Sequence, residues 1–350
     1  MAKLKKSLLQ RLQLNHAYGQ LVALIFIPIA IIAAVGSILV IQETSASARS
    51  QQRHVAIAIL LHKSKVLVGW RQANQHQGNK HEFPGGKVEQ GETPEQACRR
   101  EIYEEVGIGL KDWHGFDVIR HEYDDVIVNL HIFHAYVPDA LLELIHQPWA
   151  WYSRDQLKEL NFPKANDVIL QRLVWPHLIK VNEQLAKLPQ QESLFYWRIS
   201  NESINAIEQQ LKTLTDEQYQ KLIINFDIWN QLDSACQEKI NTVHLKQSQL
   251  MGLKKGELIV GKRFIAACHD AVSLQHAHHI GCDAVLLSPV NITETHPETK
   301  VLGWEGFAEL AGKSDIPVFA LGGVAPTDLE QAQKHHAYGL AGIRQFESKI

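Results

Sequence analysis

Cysteine is scarce, with four in 350 residues (Cys98, Cys236, Cys268 and Cys282) and no C-x-x-C pair among them. That scatter excludes a disulfide framework and a structural zinc site, and it fits a reducing compartment. Positive charge is not in excess either: 35 Lys and Arg stand against 38 Asp and Glu, for a net charge of −3. Such a chain has no basic field to grip a polynucleotide backbone, so stable nucleic-acid binding is not expected and a small anionic ligand held by local groups is. His269, His276, His278, His279, His335 and His336 fall at no tight metal-ligand spacing and read as surface or helix histidines. What is present is a globular mixture, 45% hydrophobic and 21% charged, long enough for two domains with a core each.

The first fifty residues stand apart. Residues 21–41 carry no charge and are almost wholly apolar, which at helical rise is enough to cross a hydrocarbon core. Pro28 and Gly36 are tolerated in such helices. Lys3, Lys5, Lys6 and Arg11 precede the run and place the N-terminus in the cytoplasm by the positive-inside rule. The segment resembles the first membrane helix of a bacterial sensor kinase, with a fused or mis-started N-terminus as the alternative. Residues 42–53, rich in Ser, Ala and Gln, read as a linker.

Residues 54–61 and 65–70 are two apolar β-type runs around the polar turn His62-Lys63-Ser64, which predicts a hairpin. Arg71 to Lys80 is polar and aperiodic and predicts a loop. Glu82-Phe83-Pro84-Gly85-Gly86-Lys87 then leads to Thr93, an N-cap with Pro94 at the first helical position and Gln96 closing a capping box. Gly107 supplies the stop, so a helix is expected from Pro94 to about Val106. Cys98, Ile102 and Val106 form an apolar strip, while Glu101, Glu104 and Glu105 lie on the adjacent face at i, i+3 and i+4. Like charges so placed repel unless they are solvated or neutralised, and a divalent cation is the most direct neutraliser.

Gly86, five residues, Glu92, seven residues, then Arg100-Glu101-Ile102-Tyr103-Glu104-Glu105-Val106-Gly107-Ile108 resembles the Nudix box, G-x5-E-x7-R-E-U-x-E-E-x-G-U with U aliphatic. The flanking residues look like the MutT branch, whose members hydrolyse 8-oxo-dGTP to the monophosphate and pyrophosphate and so prevent mutagenic incorporation. The resemblance covers about residues 54–175 and implies an α/β/α sandwich. It implies Mg²⁺, or Mn²⁺ in its place, bound by Glu101, Glu104, Glu105 and the carbonyl of Gly85. Either Glu101 or Glu104 would accept the proton of the attacking water, and Arg100 would hold a carboxylate in place. Glu92 would orient the loop or support a metal ligand. MutT-type enzymes recognise the base through an Asn in F-P-x-A-N, which is matched by Phe162-Pro163-Lys164-Ala165-Asn166, so Asn166 would contact the nucleobase. Its alternative is a helix N-cap. Arg71, His76, Glu82, Phe83, Pro84, Gly85 and Lys87 would line the rest of a nucleoside triphosphate site. Some relatives carry a further glutamate before a tryptophan where this chain has Ala150, which leaves the helix carboxylates or Glu143 to serve. Trp149 and Trp151 read as core or rim packing.

From about residue 190 the pattern changes to short apolar runs between helical stretches. Seven strands are expected at residues 194–199, 222–225, 243–245, 264–267, 284–287, 318–321 and 339–343, a (β/α) TIM-barrel-like pattern. Their order resembles thiamine phosphate synthase and its thiazole-isomerising relatives. Gly322-Gly323 would form a backbone phosphate cradle. The synthase's other functional positions are altered here. Asn225-Phe226 replaces Asn-Asp, Gln249 stands where the second metal carboxylate falls, His296 ends the T-x-T-K loop and Arg344 replaces a serine. A degenerate barrel is therefore expected, binding a phosphate, stabilising the chain or contacting a partner, with a thiamine-pathway transferase as the alternative.

The expected organisation is an N-terminal segment over 1–52, a Nudix domain over 53–180 and the barrel over 190–350. The catalytic domain is expected in the cytoplasm, with single-pass anchoring through 21–41 as the variant. Nothing in the sequence assigns an oligomeric partner.

Overall fold

The computed structural model describes residues 51–73, 78–122, 126–190, 192–293, 298, 300–343 and 346. The apolar run at 21–41 and His76 lie outside the described residues. Among the described residues no helix is long and apolar enough to cross a membrane. The chain forms two compact units.

The first unit is built on a seven-stranded sheet. Strands β1 (Gln51–His62), β2 (Lys65–Trp70), β3 (His81–Glu82), β4 (Gly85–Lys87), β5 (His114–Glu122), β6 (Val126–Tyr136) and β7 (Trp149–Tyr152) are ordered β3-β2-β1-β6-β5, with β4 on β1 and β7 on β2. Residues 51–53, expected in a linker, already belong to β1. The predicted hairpin forms: Leu61 faces Val66 and His62 faces Lys65, with Lys63 and Ser64 at φ 46 and 64 in the turn. Two successive positive φ values match the twist of antiparallel strands, which is why so short a turn suffices.

Helix α1 (Pro94–Glu105) lies on this sheet. Thr93 accepts from the Gln96 amide and the Gln96 side chain accepts from the Thr93 amide, so the capping box closes at both ends. Val106 caps the helix and Gly107, at φ 86, turns the chain away. Cys98, Ile102 and Val106 are 0%, 0% and 4% exposed and pack with Ala56, Ala58, Leu60, Leu67 and Trp149. Burial of an Ile side chain of this kind contributes about 1.5–3 kcal/mol, so the apolar strip holds the helix and leaves its acidic edge to chemistry.

The second unit is a closed barrel. Its strands are β8 (Leu178–Asn182), β9 (Leu194–Trp197), β10 (Leu222–Asn225), β11 (Thr242–Leu245), β12 (Arg263–Cys268), β13 (Ala284–Leu287), β14 (Val318–Leu321) and β15 (Gly339–Gly342), in the order β10-β11-β12-β13-β14-β15-β8-β9. Every neighbouring pair is parallel. The strand missing from the sequence reading is β8, which pairs with β15 on one side and β9 on the other. The barrel sheet therefore begins at Leu178, ahead of residue 190 where its start was expected. Trp175, Ile179, Tyr196, Ile223, Ile265, Leu286, Phe319 and Ala341 fill the interior. The Arg263 guanidinium lies 4.0 Å over the Trp175 ring and donates to Thr242 Oγ1 at 2.9 Å, which satisfies a charge buried in that core.

Candidate active site

The three glutamates of α1 lie in different surroundings. Glu101 is 7% exposed and its Oε1 accepts from Arg100 Nη1 at 2.8 Å. Burial raises its carboxyl, while Arg100 opposes the rise. The Glu104 side chain is 59% exposed and lies 3.5 Å from Arg100 Nη1. Glu105 is exposed, and its Oε2 accepts from the Gly85 amide at 3.1 Å. Its carboxyl is pushed up to about 7, first by desolvation and then by Glu101 and Glu82, against the lowering effect of the Gly85 hydrogen bond. The residue as a whole keeps solvent access, so water moderates that rise.

Arg100 organises the loop around them. It donates to Glu92 from Nη2 at 2.7 Å and from Nε at 3.2 Å, to Glu101 from Nη1, and to the Lys87 carbonyl from Nη2 at 3.0 Å. Glu92 in turn accepts from the Glu89 amide at 2.7 Å, and the Arg100 hydrogen bond, more than any other contact, holds its carboxyl below the usual carboxylate range. One guanidinium thus ties the turn after β4 to the helix. Gly86 leaves room here for the Glu101 carboxylate, since a Cβ there would lie 2.1 Å from Glu101 Oε1.

The nucleotide-side candidates divide. Arg71 donates from Nε to Glu82, whose carboxyl is raised by burial and lowered by that arginine. The Phe83 ring stacks on Phe162 at 4.9 Å between centroids and 23° between planes. This contact brings the Glu82–Gly85 strip to the Phe162–Asn166 strip. Pro84 accepts at its carbonyl from the Ala58 amide at 2.9 Å, locking the strip onto β1. Asn166 closes a short 3-10 turn, Lys164–Asn166, before the helix Asp167–Leu173. It is 6% exposed. A carboxamide can donate and accept at once, which suits a ligand with a complementary edge. The stack of Phe83 on Phe162 had a signal in the F-P-x-A-N sequence. A further contact had none: Trp149, 8% exposed, donates from Nε1 to the Glu105 carbonyl at 3.0 Å.

Among the described residues no three His, Cys, Asp or Glu side chains converge as a closed metal cluster. The donor set nevertheless fits a hard cation. Glu105 and Glu101 are oxygen donors, each raised first by burial, with Arg100 acting against the rise at Glu101 and Arg71 at Glu105.

The barrel mouth is different in kind. Asn225 Nδ2 donates to Gln249 Oε1 at 3.0 Å and Gln249 Nε2 donates back to Asn225 Oδ1 at 3.1 Å. The His244 ring lies 4.4 Å from that of Tyr196, and burial, then Lys246, lowers its pKa to about 3. Amides satisfied by each other and a neutral imidazole do not fit a magnesium ion. Gly322 and Gly323, at φ 100 and 64, pack against Pro289 and Asn291, where a Cβ would lie at 2.9 and 2.7 Å. Their carbonyls accept from the Asn291 amide and from Asn291 Nδ2, both at 3.0 Å. Close packing between two loops is thus a sufficient reason for glycine here, whether or not an anion binds.

Comparison with known proteins matches residues 51–173 to the NUDIX domain family and residues 183–346 to the Thiamine monophosphate synthase family. The 8-oxo-dGTP diphosphatase of Escherichia coli is 34% identical over 128 residues, covering 34% of this chain and 94% of that protein. The CTP pyrophosphohydrolase of the same species is 35% identical over 114 residues, covering 32% of this chain and 82% of the relative. A putative thiamine-phosphate synthase 2 from Aquifex aeolicus is 30% identical over 151 residues, covering 42% of this chain and 77% of its own length.

Proposed function

The chain is a hydrolase that belongs to the Nudix family through residues 51–173 and to the thiamine monophosphate synthase family through residues 183–346, and on that premise we propose that it cleaves 8-oxo-dGTP to the monophosphate and pyrophosphate. The observation that carries the reading is the position of Asn166, 6% exposed, in the strip that Phe162 joins to Phe83 beside the Glu82–Gly85 turn. An 8-oxopurine presents a donor and an acceptor on neighbouring edges, and one carboxamide can answer both.

Mg²⁺ bound at Glu101, Glu104, Glu105 and the Gly85 carbonyl would polarise the phosphoryl oxygens and lower the pKa of the attacking water. Arg100 holds both Glu101 and Glu92, so the acidic edge is ordered before substrate arrives. Gly85 holds Glu105 by its amide. In this reading Glu101 or Glu104 takes up the proton of the attacking water, with Arg100 orienting Glu101. Arg71, Phe83, Pro84 and Lys87 form the wall on the substrate side. These roles make the chain a nucleotide-pool enzyme of the cytoplasm.

The barrel takes an accessory role in this reading. It binds a phosphate ester at Gly322-Gly323 without a metal-dependent transfer, because Asn225 and Gln249 occupy the place of a carboxylate clamp.

The test is pyrophosphate release from the full chain on a panel of 8-oxo-dGTP, dGTP and CTP, with and without Mg²⁺. A preference for 8-oxo-dGTP that needs the metal and is lost in Glu105→Gln supports the reading. Equal turnover of 8-oxo-dGTP and dGTP, or a preference for CTP, overturns the substrate.

A further inference from the structure

The last carbonyls of a helix have no partner within it. In α1 the Val106 and Gly107 amides both donate to Ile102, and the Glu105 carbonyl, in the last turn, accepts from none of the cap or loop amides of the described residues. Trp149, far along the chain, serves it with an indole N–H at 3.0 Å. Glu105 is therefore gripped twice, by Trp149 at its carbonyl and by Gly85 at its carboxylate.

The surroundings are shaped for this indole. Strand β7 starts at Trp149 and pairs with β2, and the Trp70 amide donates to the Pro148 carbonyl at 3.2 Å, which fixes the backbone at the entry to β7. Gly69 on β2 faces the Trp149 ring, and a Cβ there would lie 2.6 Å from it. The ring packs with Leu67, Ile102 and Val106. Its apolar bulk could be met by any large residue, but the donated hydrogen could not.

We propose that Trp149 is a positioning residue for the Nudix chemistry: its indole N–H pins the end of α1 so that the Glu105 carboxylate stays in register with Gly85 and with the cation. The proposal rests on the reading of Glu105 as a metal ligand. Loss of the N–H lets the last turn of α1 move against the sheet, and the effect falls on cation affinity before it falls on nucleotide binding.

Trp149→Phe keeps an aromatic ring and removes the donor. Trp113→Phe is the control, because Trp113 is 4% exposed in the same core and donates from Nε1 to the Leu110 carbonyl at 3.1 Å, an acceptor outside α1. Mn²⁺ binding to the full chain without nucleotide, followed by electron paramagnetic resonance, gives the readout, with thermal unfolding alongside. Trp149→Phe is expected to weaken Mn²⁺ binding about three- to tenfold, the range of one net hydrogen bond. Trp113→Phe is expected to lose comparable thermal stability with Mn²⁺ affinity unchanged. Equal affinities in wild type and Trp149→Phe, or equal losses in both variants, overturn the positioning role. No Mn²⁺ binding by the wild-type chain overturns the metal reading beneath it, a result separate from either.

Discussion

Gly86 and Glu101 are packed so closely that a single methyl group cannot stand between them: a Cβ on Gly86 would lie 2.1 Å from Glu101 Oε1. The glycine of the box is there for a carboxylate and not only for a turn. Because the clash is with the end of a side chain, Gly86→Ala should displace Glu101 and spare the fold. Turnover is expected to fall at least about tenfold, as for loss of a positioned acid–base group, with little change in thermal unfolding. Undiminished pyrophosphate release in this variant would mean that the position of Glu101 is irrelevant to the chemistry.

Arg100→Lys tests whether a fork or only a charge is needed. Arg100 serves Glu92, Glu101 and the Lys87 carbonyl at once, a geometry an ammonium cannot copy. The expected stability loss is about 1–2 kcal/mol, at the low end for charged hydrogen bonds because the side chain is 26% exposed. Chemical denaturation measures it, and a lysine variant as stable as wild type would reduce Arg100 to a point charge.

Asn166→Ala should affect recognition and leave the acidic edge alone. The ratio of kcat/KM for 8-oxo-dGTP over dGTP is expected to fall by about tenfold or more, the value of a buried hydrogen-bonding pair lost from a specificity site, with Mn²⁺ affinity unchanged. If both substrates slow equally, the amide has a structural role.

Stability of the barrel should decline in mild acid through His244. Burial lowers its folded pKa to about 3 from 6.5, so between those values the unfolded chain binds a proton that the folded chain refuses. Stability then falls as pH drops from 6.5 towards 3 and is insensitive to this group above 6.5. Denaturant midpoints measured across that window should slope less in His244→Gln than in wild type. Parallel slopes would show that His244 is protonated in the fold.

The turn and helix around Glu82 to Ile108 were determined by sequence alone. The capping box, the Gly107 stop, the apolar strip and the three carboxylates follow from helical periodicity and cap chemistry, which act within a few residues. The hairpin and the parallel strands after residue 190 followed from equally local patterns. Other features depended on partners far along the chain. Helical spacing placed Glu101, Glu104 and Glu105 on one edge, but only packing buried the first against Gly86, left the second in water and turned the third onto Gly85. Strand β8 is short, and its sequence Leu-Ile-Lys-Val-Asn becomes a barrel strand only because Leu340 and Leu194 offer edges to either side of it. Trp149 reads as plain apolar bulk until the fold sets its indole beside the Glu105 carbonyl. Local rules set which residues share the acidic edge, and closure of the sheets set what each of them meets, because a hydrogen bond or a buried charge is decided by what lies across the core.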